Sequence, residues 1–228
     1  IQSGGRVTAG NNAGGLVGMF YGTISNSSAT IQSGGSVTTS NSGAGGLVGF
    51  AWGGITDSSA TISGNVTASR LAGGLVGYLR YVSISSSTAT IQSGGSVTAS
   101  SRAGGLVGQQ YYGTNTNSSA TIQSGGSVTA GNNAGGLVGY IYYGTISHFS
   151  ATISGSVTAS SSDAGGLVGY QEGGTITNSS AIIYDFATIN ATTKVGAVVG
   201  TKSGTITNTY PTILDSQYGN ITFLDWNV

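Results

Sequence analysis

One hexapeptide, Ala-Gly-Gly-Leu-Val-Gly, recurs through the chain at nearly constant spacing, and this repeat limits the fold more than any other feature. Six copies begin at Ala13, Ala44, Ala72, Ala103, Ala134 and Ala164, and a divergent seventh copy begins at Val195. Successive copies start 31, 28, 31, 31, 30 and 31 residues apart. A repeat of this length is typical of solenoids, in which each unit packs only against its neighbours.

Each repeat holds three short segments that favour strand over helix. Besides the hexapeptide, Thr-Ile-Gln-Ser-Gly-Gly-Ser-Val-Thr occurs at 30–38, 90–98 and 121–129, and Gly-Thr-Ile-Ser/Thr-Asn-Ser-Ser-Ala occurs at 22–29 and 174–181. β-Branched residues dominate these segments, and apolar side chains alternate with small polar ones. We therefore predict an all-β fold, a three-sided parallel β-helix (β-solenoid) of about seven coils of about thirty residues.

Like residues recur at like positions and predict three inward-facing ladders. The first ladder is Ile24, Ile55, Ile84, Ile146, Ile176 and Ile206, with Asn115 as its odd member. The second is Val37, Val66, Val97, Val128 and Val157, and the third is Leu16, Leu47, Leu75, Leu106, Leu137 and Leu167. The one 28-residue spacing arises where 62–66 lacks part of the Gln-Ser-Gly-Gly corner, a loss that leaves the ladders in register. We assign two roles to the hexapeptide glycines, a positive φ at a corner and close approach between coils.

Charged residues are too few and too scattered for nucleic-acid binding. They make up 5% of the chain, the formal net charge is zero, and the six basic residues are spread along the sequence. Phosphate recognition needs clustered Lys and Arg, so we expect no nucleic-acid partner. There is no run of about eighteen apolar residues, and we expect no membrane insertion.

The hexapeptide and its neighbours resemble a known family. Gly-Gly-Leu-Val-Gly-Tyr, followed by Gly-Thr-Ile-Thr-Asn-Ser and a Val-Thr strand, is similar to the GLUG repeat of bacterial and archaeal surface proteins, and the copy at 164–180 is the most similar. The resemblance covers nearly the whole chain. It implies a location outside the cell or on its surface, and a structural or adhesive role. It supplies no catalytic residues.

The inventory of reactive side chains argues against an enzyme. There is no Cys, and the one histidine, His148, stands where other repeats carry Asn, so we interpret it as a corner residue. Asp163 and Glu172 are the only acids close in sequence, and they flank a strand that separates them too far for joint catalysis. A calcium-binding repeat would need an Asp in every coil. We therefore expect no catalytic residue, no metal site and no cofactor.

Aromatic residues follow most copies of the hexapeptide and form a candidate interaction surface. Its members are Phe50, Trp52, Tyr78, Tyr111, Tyr112, Tyr140, Tyr142 and Tyr170. Exposed rings along a rod are typical of an interaction surface, and here they would bind glycans or a neighbouring rod. The alternative is ordinary packing of rings over the edge of the core.

Six Asn-X-Ser/Thr sequons are candidate glycosylation sites. They begin at Asn26, Asn65, Asn117, Asn178, Asn190 and Asn220. They would carry glycans in an archaeal or eukaryotic secreted protein. The alternative is chance, because a repetitive chain rich in Ser, Thr and Asn produces sequons without selection.

Hydroxyl side chains flank the isoleucine ladder and suggest a second type of surface. The pairs are Thr23/Ser25, Thr114/Thr116, Thr145/Ser147, Thr175/Thr177 and Thr205/Thr207, interrupted by Gly54/Thr56 and Ser83/Ser85. Flat hydroxyl columns on a solenoid are the geometry of several ice-binding proteins, so ice binding is the alternative function.

The two ends of the chain differ, and the difference predicts self-association. The chain begins within a plain repeat at Ile1, without Met or a visible signal peptide, which we interpret as a processed or excised form. We divide it into β-solenoid repeats at 1–210 and a capping or docking segment at 211–228. Ile221, Phe223, Leu224 and Trp226 form the candidate assembly segment. The predicted function is an extracellular rod that self-associates head-to-tail or laterally into a filament, sheath or surface layer, or serves as an adhesin stalk.

Overall fold

The computed structural model describes residues 1–214, which form seven stacked coils of parallel β-structure. Each coil contributes one strand to each of five seven-stranded sheets. The coils, from first strand to last, are 6–31, 36–62, 65–91, 96–122, 127–153, 156–184 and 188–214.

The sheets are numbered 1 to 5 in the order in which a coil passes through them. Sheet 1 consists of Arg6–Ala9, Ser36–Thr39, Asn65–Ala68, Ser96–Ala99, Ser127–Ala130, Ser156–Ala159 and Thr188–Ala191. Sheet 2 consists of Ala13–Gly14, Gly43–Gly45, Leu71–Gly73, Arg102–Gly104, Asn133–Gly135, Asp163–Gly165 and Lys194–Gly196. Sheet 3 consists of Val17–Phe20, Val48–Ala51, Val76–Arg80, Val107–Tyr111, Val138–Tyr142, Val168–Glu172 and Val199–Lys202. Sheet 4 consists of Ile24–Ser25, Ile55–Thr56, Ile84–Ser85, Thr114–Thr116, Thr145–Ser147, Thr175–Thr177 and Thr205–Thr207. Sheet 5 consists of Ser28–Ile31, Ser59–Ile62, Thr88–Ile91, Ser119–Ile122, Ser150–Ile153, Ser180–Tyr184 and Tyr210–Leu214.

The predicted parallel β-solenoid of seven coils is confirmed, but each coil has five strands rather than three. The segment at 22–29 is divided at Asn26, whose φ of 48° places it in the left-handed region, where an extended ladder cannot continue. The hexapeptide is divided as well, because its first residues end a strand of sheet 2 and its valine begins a strand of sheet 3. Two of the three predicted segments therefore bend where the sequence pattern looked continuous.

The short corner leaves the ladders in register, and the solenoid continues past the predicted boundary at residue 210. In the contracted repeat, Val66 still pairs with Val37 and Val97, so the loss at the corner leaves the register intact. The last described strand, Tyr210–Leu214, pairs in parallel with Ser180–Tyr184 and extends coil 7 to residue 214. The predicted assembly segment, with Ile221, Phe223, Leu224 and Trp226, lies outside the described residues.

The three predicted ladders form the core. Its fully buried members are Ile55, Ile84, Ile146, Ile176, the five valines, and Leu47, Leu75, Leu106, Leu137 and Leu167. Leu16 is 51% exposed, because within residues 1–214 no coil covers coil 1 on that side. A fourth ladder, which the sequence analysis did not single out, lies on sheet 5. It consists of Ile31, Ile62, Ile91, Ile122, Ile153 and Ile183.

The hexapeptide glycines allow sheets 2 and 3 to pack backbone against backbone. A Cβ added to Gly104 would lie 2.0 Å from the carbonyl oxygen of Val107 and 2.7 Å from the amide nitrogen of Gly139 in the next coil. The predicted close approach is therefore confirmed. The predicted positive φ is wrong, because none of these glycines lies in the left-handed region.

Two hydrogen-bonded arrangements satisfy polar groups inside the solenoid. The backbone N–H of Ser58 donates to Oγ of Ser87 at 3.1 Å, and that of Ser87 donates to Oγ of Ser118 at 3.0 Å. In coil 4, Nδ2 of Asn115 donates to Oε1 of Gln110 at 2.9 Å. The odd member of the isoleucine ladder is thus accommodated by a polar partner five residues earlier in the same coil.

Candidate binding surface

The outward side chains of sheet 3 form two columns that contain seven of the eight residues of the predicted interaction surface, all except Tyr112. The inner column consists of Met19, Phe50, Tyr78, Gln109, Tyr140, Tyr170 and Thr201. The rim column consists of Arg80, Tyr111, Tyr142 and Glu172, and Trp52 precedes Arg80 by one coil. The residues between the two columns, such as Leu79 and Ile141, point inward and are fully buried.

Three tyrosines at the next position along the chain, called here the corner tyrosines, have left-handed backbone. The φ angles of Tyr81, Tyr112 and Tyr143 are 59°, 55° and 49°, and in coil 6 the same position is Gly173. This conformation costs a residue with a Cβ about 1–2 kcal/mol, whereas glycine adopts it freely. Non-glycine residues in this conformation are enriched at binding and active sites, so the corner tyrosines are candidate functional residues.

Neighbouring aromatic rings stack along the rod. The ring centroids of Tyr81 and Tyr112 are 5.5 Å apart with an interplanar angle of 13°, and those of Tyr112 and Tyr143 are 6.0 Å apart at 20°. Tyr111 and Tyr142 are nearly parallel, at 4.8 Å and 1°. Because stacked rings cover one another's faces, they present ring edges and hydroxyl groups to the solvent.

The eight residues of the predicted interaction surface differ in exposure. Tyr112 is exposed, and Trp52, Tyr78, Tyr111, Tyr142 and Tyr170 are half-buried. Phe50 and Tyr140 are only 9% and 8% exposed, because each packs against a neighbouring ring of the inner column. For these two residues the alternative of ordinary packing applies, and they support the more exposed rings beside them.

Most of the charged residues of the described chain lie on this same face. Arg80, Arg102, Asp163, Glu172 and Lys194 are in strands of sheets 2 and 3, and Arg70 directly precedes a strand of sheet 2. The basic residues looked scattered in the sequence, and this interpretation was wrong in three dimensions. Alignment of the repeats could have predicted that these arginines lie close together, because Arg70 and Arg102 both precede a hexapeptide and Arg80 follows one.

A polar network joins Arg102 to the inner column. Its Nη1 donates to Oε1 of Gln109 at 2.6 Å, and its guanidinium carbon lies 3.8 Å from the ring centroid of Tyr140. The hydroxyl of Tyr140 donates to a carboxylate oxygen of Glu172. Burial lowers the pKa of Arg102, and burial together with the bond to Glu172 raises the pKa of Tyr140. The carboxylate of Glu172 is therefore hydrogen-bonded to Tyr140.

The two acids considered for catalysis have separate surroundings. Asp163 is 6% exposed in sheet 2, and burial raises its pKa against the opposing effects of the Thr201 hydroxyl and Lys194. Glu172 lies at the end of a sheet 3 strand and binds Tyr140. No group of three or more His, Asp or Glu side chains within residues 1–214 is arranged to hold a metal ion.

His148 and three of the sequons occupy one corner of the coil. His148, Asn26, Asn117 and Asn178 all have positive φ, so the histidine occupies the same corner as the Asn residues of the other repeats. Nδ2 of Asn178 lies 3.5 Å from Nε2 of His148. The sequon residues Asn65 and Asn190 are exposed on sheet 1, and Asn220 lies outside the described residues. Glycosylation of these residues stays a prediction.

Outward hydroxyl columns are more regular on sheets 5 and 1 than on sheet 4, where they were predicted. On sheet 5 the threonine column is Thr30, Thr61, Thr90, Thr121 and Thr152. On sheet 1 it is Thr8, Thr38, Thr67, Thr98, Thr129 and Thr158. Neither column is interrupted over these coils. On sheet 4, Gly54 stands where the other predicted pairs have their first hydroxyl residue. That column of hydroxyl groups is therefore broken.

Comparisons with known proteins agree with this architecture. The family model described as "The GLUG motif" matches residues 160–185. A crystal structure described as "a putative immunoglobulin A1 protease from Bacteroides ovatus" is similar in fold, with a TM-score of 0.60 and 20% sequence identity over 86% of this chain and 69% of that one. No curated protein matches the sequence. The described residues contain no helix, and hence none suited to cross a membrane.

The matched segment, 160–185, runs from the end of the first strand of coil 6 to the end of the last. It therefore covers most of one coil, and the other coils repeat its strands in register. The same hexapeptide that defines this segment recurs in five other coils. The chain is a β-solenoid repeat protein that carries the GLUG motif.

Proposed function

We propose that this chain is a rigid extracellular rod that self-associates into a filament, sheath or surface layer, or that serves as the stalk of an adhesin. The observation that carries the proposal is the register of the coils. Val37, for example, stacks on Val7 and Val66, and the same repetition holds in all five sheets. Layers that stack in one continuous register leave no hinge between coils, and the length of the solenoid grows by about 4.8 Å with each coil.

The edge of coil 1 is suited to stacking against a further coil. Within residues 1–214, its strands are paired only on the side of coil 2. A strand with a free edge is a template for another strand, and the edge of coil 1 has nearly the sequence of the inner coils. The partner would be a further coil of the same kind, from this protein or from a second copy.

The proposal predicts particles that lengthen with concentration. Small-angle scattering and negative-stain images should show rods about 34 Å long per seven coils, joining into longer rods or bundles at micromolar concentration. A chain that stays a monodisperse monomer over the whole soluble range would argue against self-association.

Ice binding is a second candidate function, and the hydroxyl columns of sheets 5 and 1 favour it. Threonine or serine alternates with an inward alanine or valine, as in Thr88-Ala89-Thr90 and Ser127-Val128-Thr129. The result is a flat array of hydroxyl and methyl groups without charge over coils 2 to 5 of sheet 5. Parallel strands fix the spacing of this array at about 4.8 Å along the rod.

Matched substitutions on two sheets test the ice-binding candidate. If sheet 5 binds ice, Thr121→Arg should abolish thermal hysteresis, because a long charged side chain disrupts the centre of the column. Thr145→Arg on sheet 4 is the control and should retain the activity. Absence of thermal hysteresis in the unmodified protein, or equal loss in both variants, would rule out binding by this face.

A further inference from the structure

Arginine residues from coils 3 and 4 converge on one tyrosine in a chain that is otherwise almost uncharged. Arg70, Arg80 and Arg102 all act electrostatically on the hydroxyl of Tyr78, whose pKa burial nevertheless raises. The backbone N–H of Arg102 donates to the carbonyl oxygen of Arg70 at 2.9 Å, which places these two residues in adjacent coils at the same corner. Three of the six basic residues of the chain therefore lie around a single side chain.

Among the described residues, no acid forms an ion pair with the arginines of this cluster. Within residues 1–214, Arg70 and Arg80 donate no side-chain hydrogen bond, and neither forms an ion pair with an acid. The inaccessible Nε atoms of Arg80 and Arg102 have no acceptor in the described part of the chain. Glu172, the acid that acts on Arg102, is bound by Tyr140. Like charges held together without a counter-charge repel one another, and an anion would relieve that repulsion.

Aromatic rings border the arginines on the outer side. The guanidinium carbon of Arg80 lies 4.5 Å from the ring centroid of Trp52 and 5.7 Å from that of Tyr111. These cation–π contacts fix the direction of the guanidinium group. Trp52 contacts Tyr81 in a tilted geometry, and the row of rings continues through the stacked corner tyrosines to Tyr143, across four coils. A positive centre thus opens onto a row of ring edges and phenolic hydroxyls about 15 Å long.

We propose that this face binds an acidic glycan, with a sugar carboxylate or sulfate on Arg70 and Arg80 and the following sugar units along the corner tyrosines. A planar guanidinium matches the two oxygens of a carboxylate or sulfate. Phenolic hydroxyls and ring edges offer hydrogen bonds and apolar contact to sugar units that carry no charge. An extended basic surface of the kind that nucleic acids need is absent from residues 1–214. The proposed binding rests on the proposed function in one respect: an extracellular location is what would bring the protein into contact with acidic glycans.

Binding to soluble polysaccharides tests the inference. Calorimetric titration of the purified protein with polygalacturonate, which is carboxylated, and heparin, which is sulfated, should detect binding to at least one, and show which anionic group the face prefers. Neutral pullulan should not bind. Arg80→Gln should weaken binding about tenfold or more, as expected for loss of a charge-assisted contact. Arg6→Gln is the matched control, since Arg6 is exposed on sheet 1, and it should leave the affinity unchanged.

Several outcomes would overturn the inference. Among them are no binding to either acidic polysaccharide, equal binding of pullulan, or equal weakening by Arg6→Gln and Arg80→Gln. Poly-glutamate that binds as tightly as polygalacturonate would point to an acidic protein segment as the partner instead. Circular dichroism of each variant separates loss of binding from loss of fold. Because these titrations use the dispersed protein, their result does not depend on whether rods self-associate.

Discussion

Gly104→Ala should destabilise the protein by more than about 3 kcal/mol, although it adds only one methyl group. The new Cβ would lie 2.0 Å from the carbonyl oxygen of Val107 and 2.7 Å from backbone atoms of Leu137 and Gly139. All of these atoms belong to the backbone of coil 4 or coil 5, so no side chain can rotate away. Relief requires sheets 2 and 3 to separate, and their separation breaks the register of two coils.

Gly10→Ala is the matched control for this prediction. Gly10 has no atom within 4 Å of an added Cβ, and its φ is outside the left-handed region. We expect a change below about 1 kcal/mol, since the substitution acts mainly on the entropy of the unfolded chain. The measurement is denaturant unfolding of both variants followed by circular dichroism. Equal midpoints for Gly104→Ala and Gly10→Ala would refute the close packing of the hexapeptide backbones.

The core could be predicted from the sequence because a solenoid stacks like on like. Once Ile55 and Ile84 are aligned by the repeat, parallel pairing places one over the other, as observed. The bends were harder to predict. Nothing in Gly-Gly-Leu-Val-Gly distinguishes a straight strand from two strands that meet at Leu47, because glycine tolerates both. The left-handed backbone at Asn26 is suggested by residue type, but His148 at the same corner is not.

The candidate site was predicted only in part, because its members meet through the register rather than through sequence proximity. The tyrosine rings could be found since they follow each hexapeptide. Arg70, Arg80 and Arg102 span more than one coil and looked scattered. The hydroxyl columns of sheet 5 were overlooked because Ser119-Ala120-Thr121 reads as a spacer between two more conspicuous segments. The partner of Asn115 was missed because Gln110 lies outside the isoleucine ladder.

A pair of cysteines placed one coil apart should form a disulfide almost completely. Thr98 and Thr129 are register partners on the outer face of sheet 1, 31 residues apart in the sequence. Parallel partners have Cα atoms about 4.8 Å apart, within the range that a disulfide spans. The chain has no cysteine of its own, so every thiol in a double variant is an introduced one.

The matched control places the second cysteine two coils away. Thr158 is the register partner of Thr129, so its Cα lies about 9.6 Å from that of Thr98, beyond disulfide reach.

Titration of free thiols after mild oxidation at low protein concentration is the most direct measurement of coil stacking. If thirty-residue units wrap once around the rod, Thr98→Cys/Thr129→Cys loses both thiols, while Thr98→Cys/Thr158→Cys keeps them. Thiols that persist in the first variant, or are lost equally in both, would contradict the solenoid on which the surfaces and their proposed functions depend.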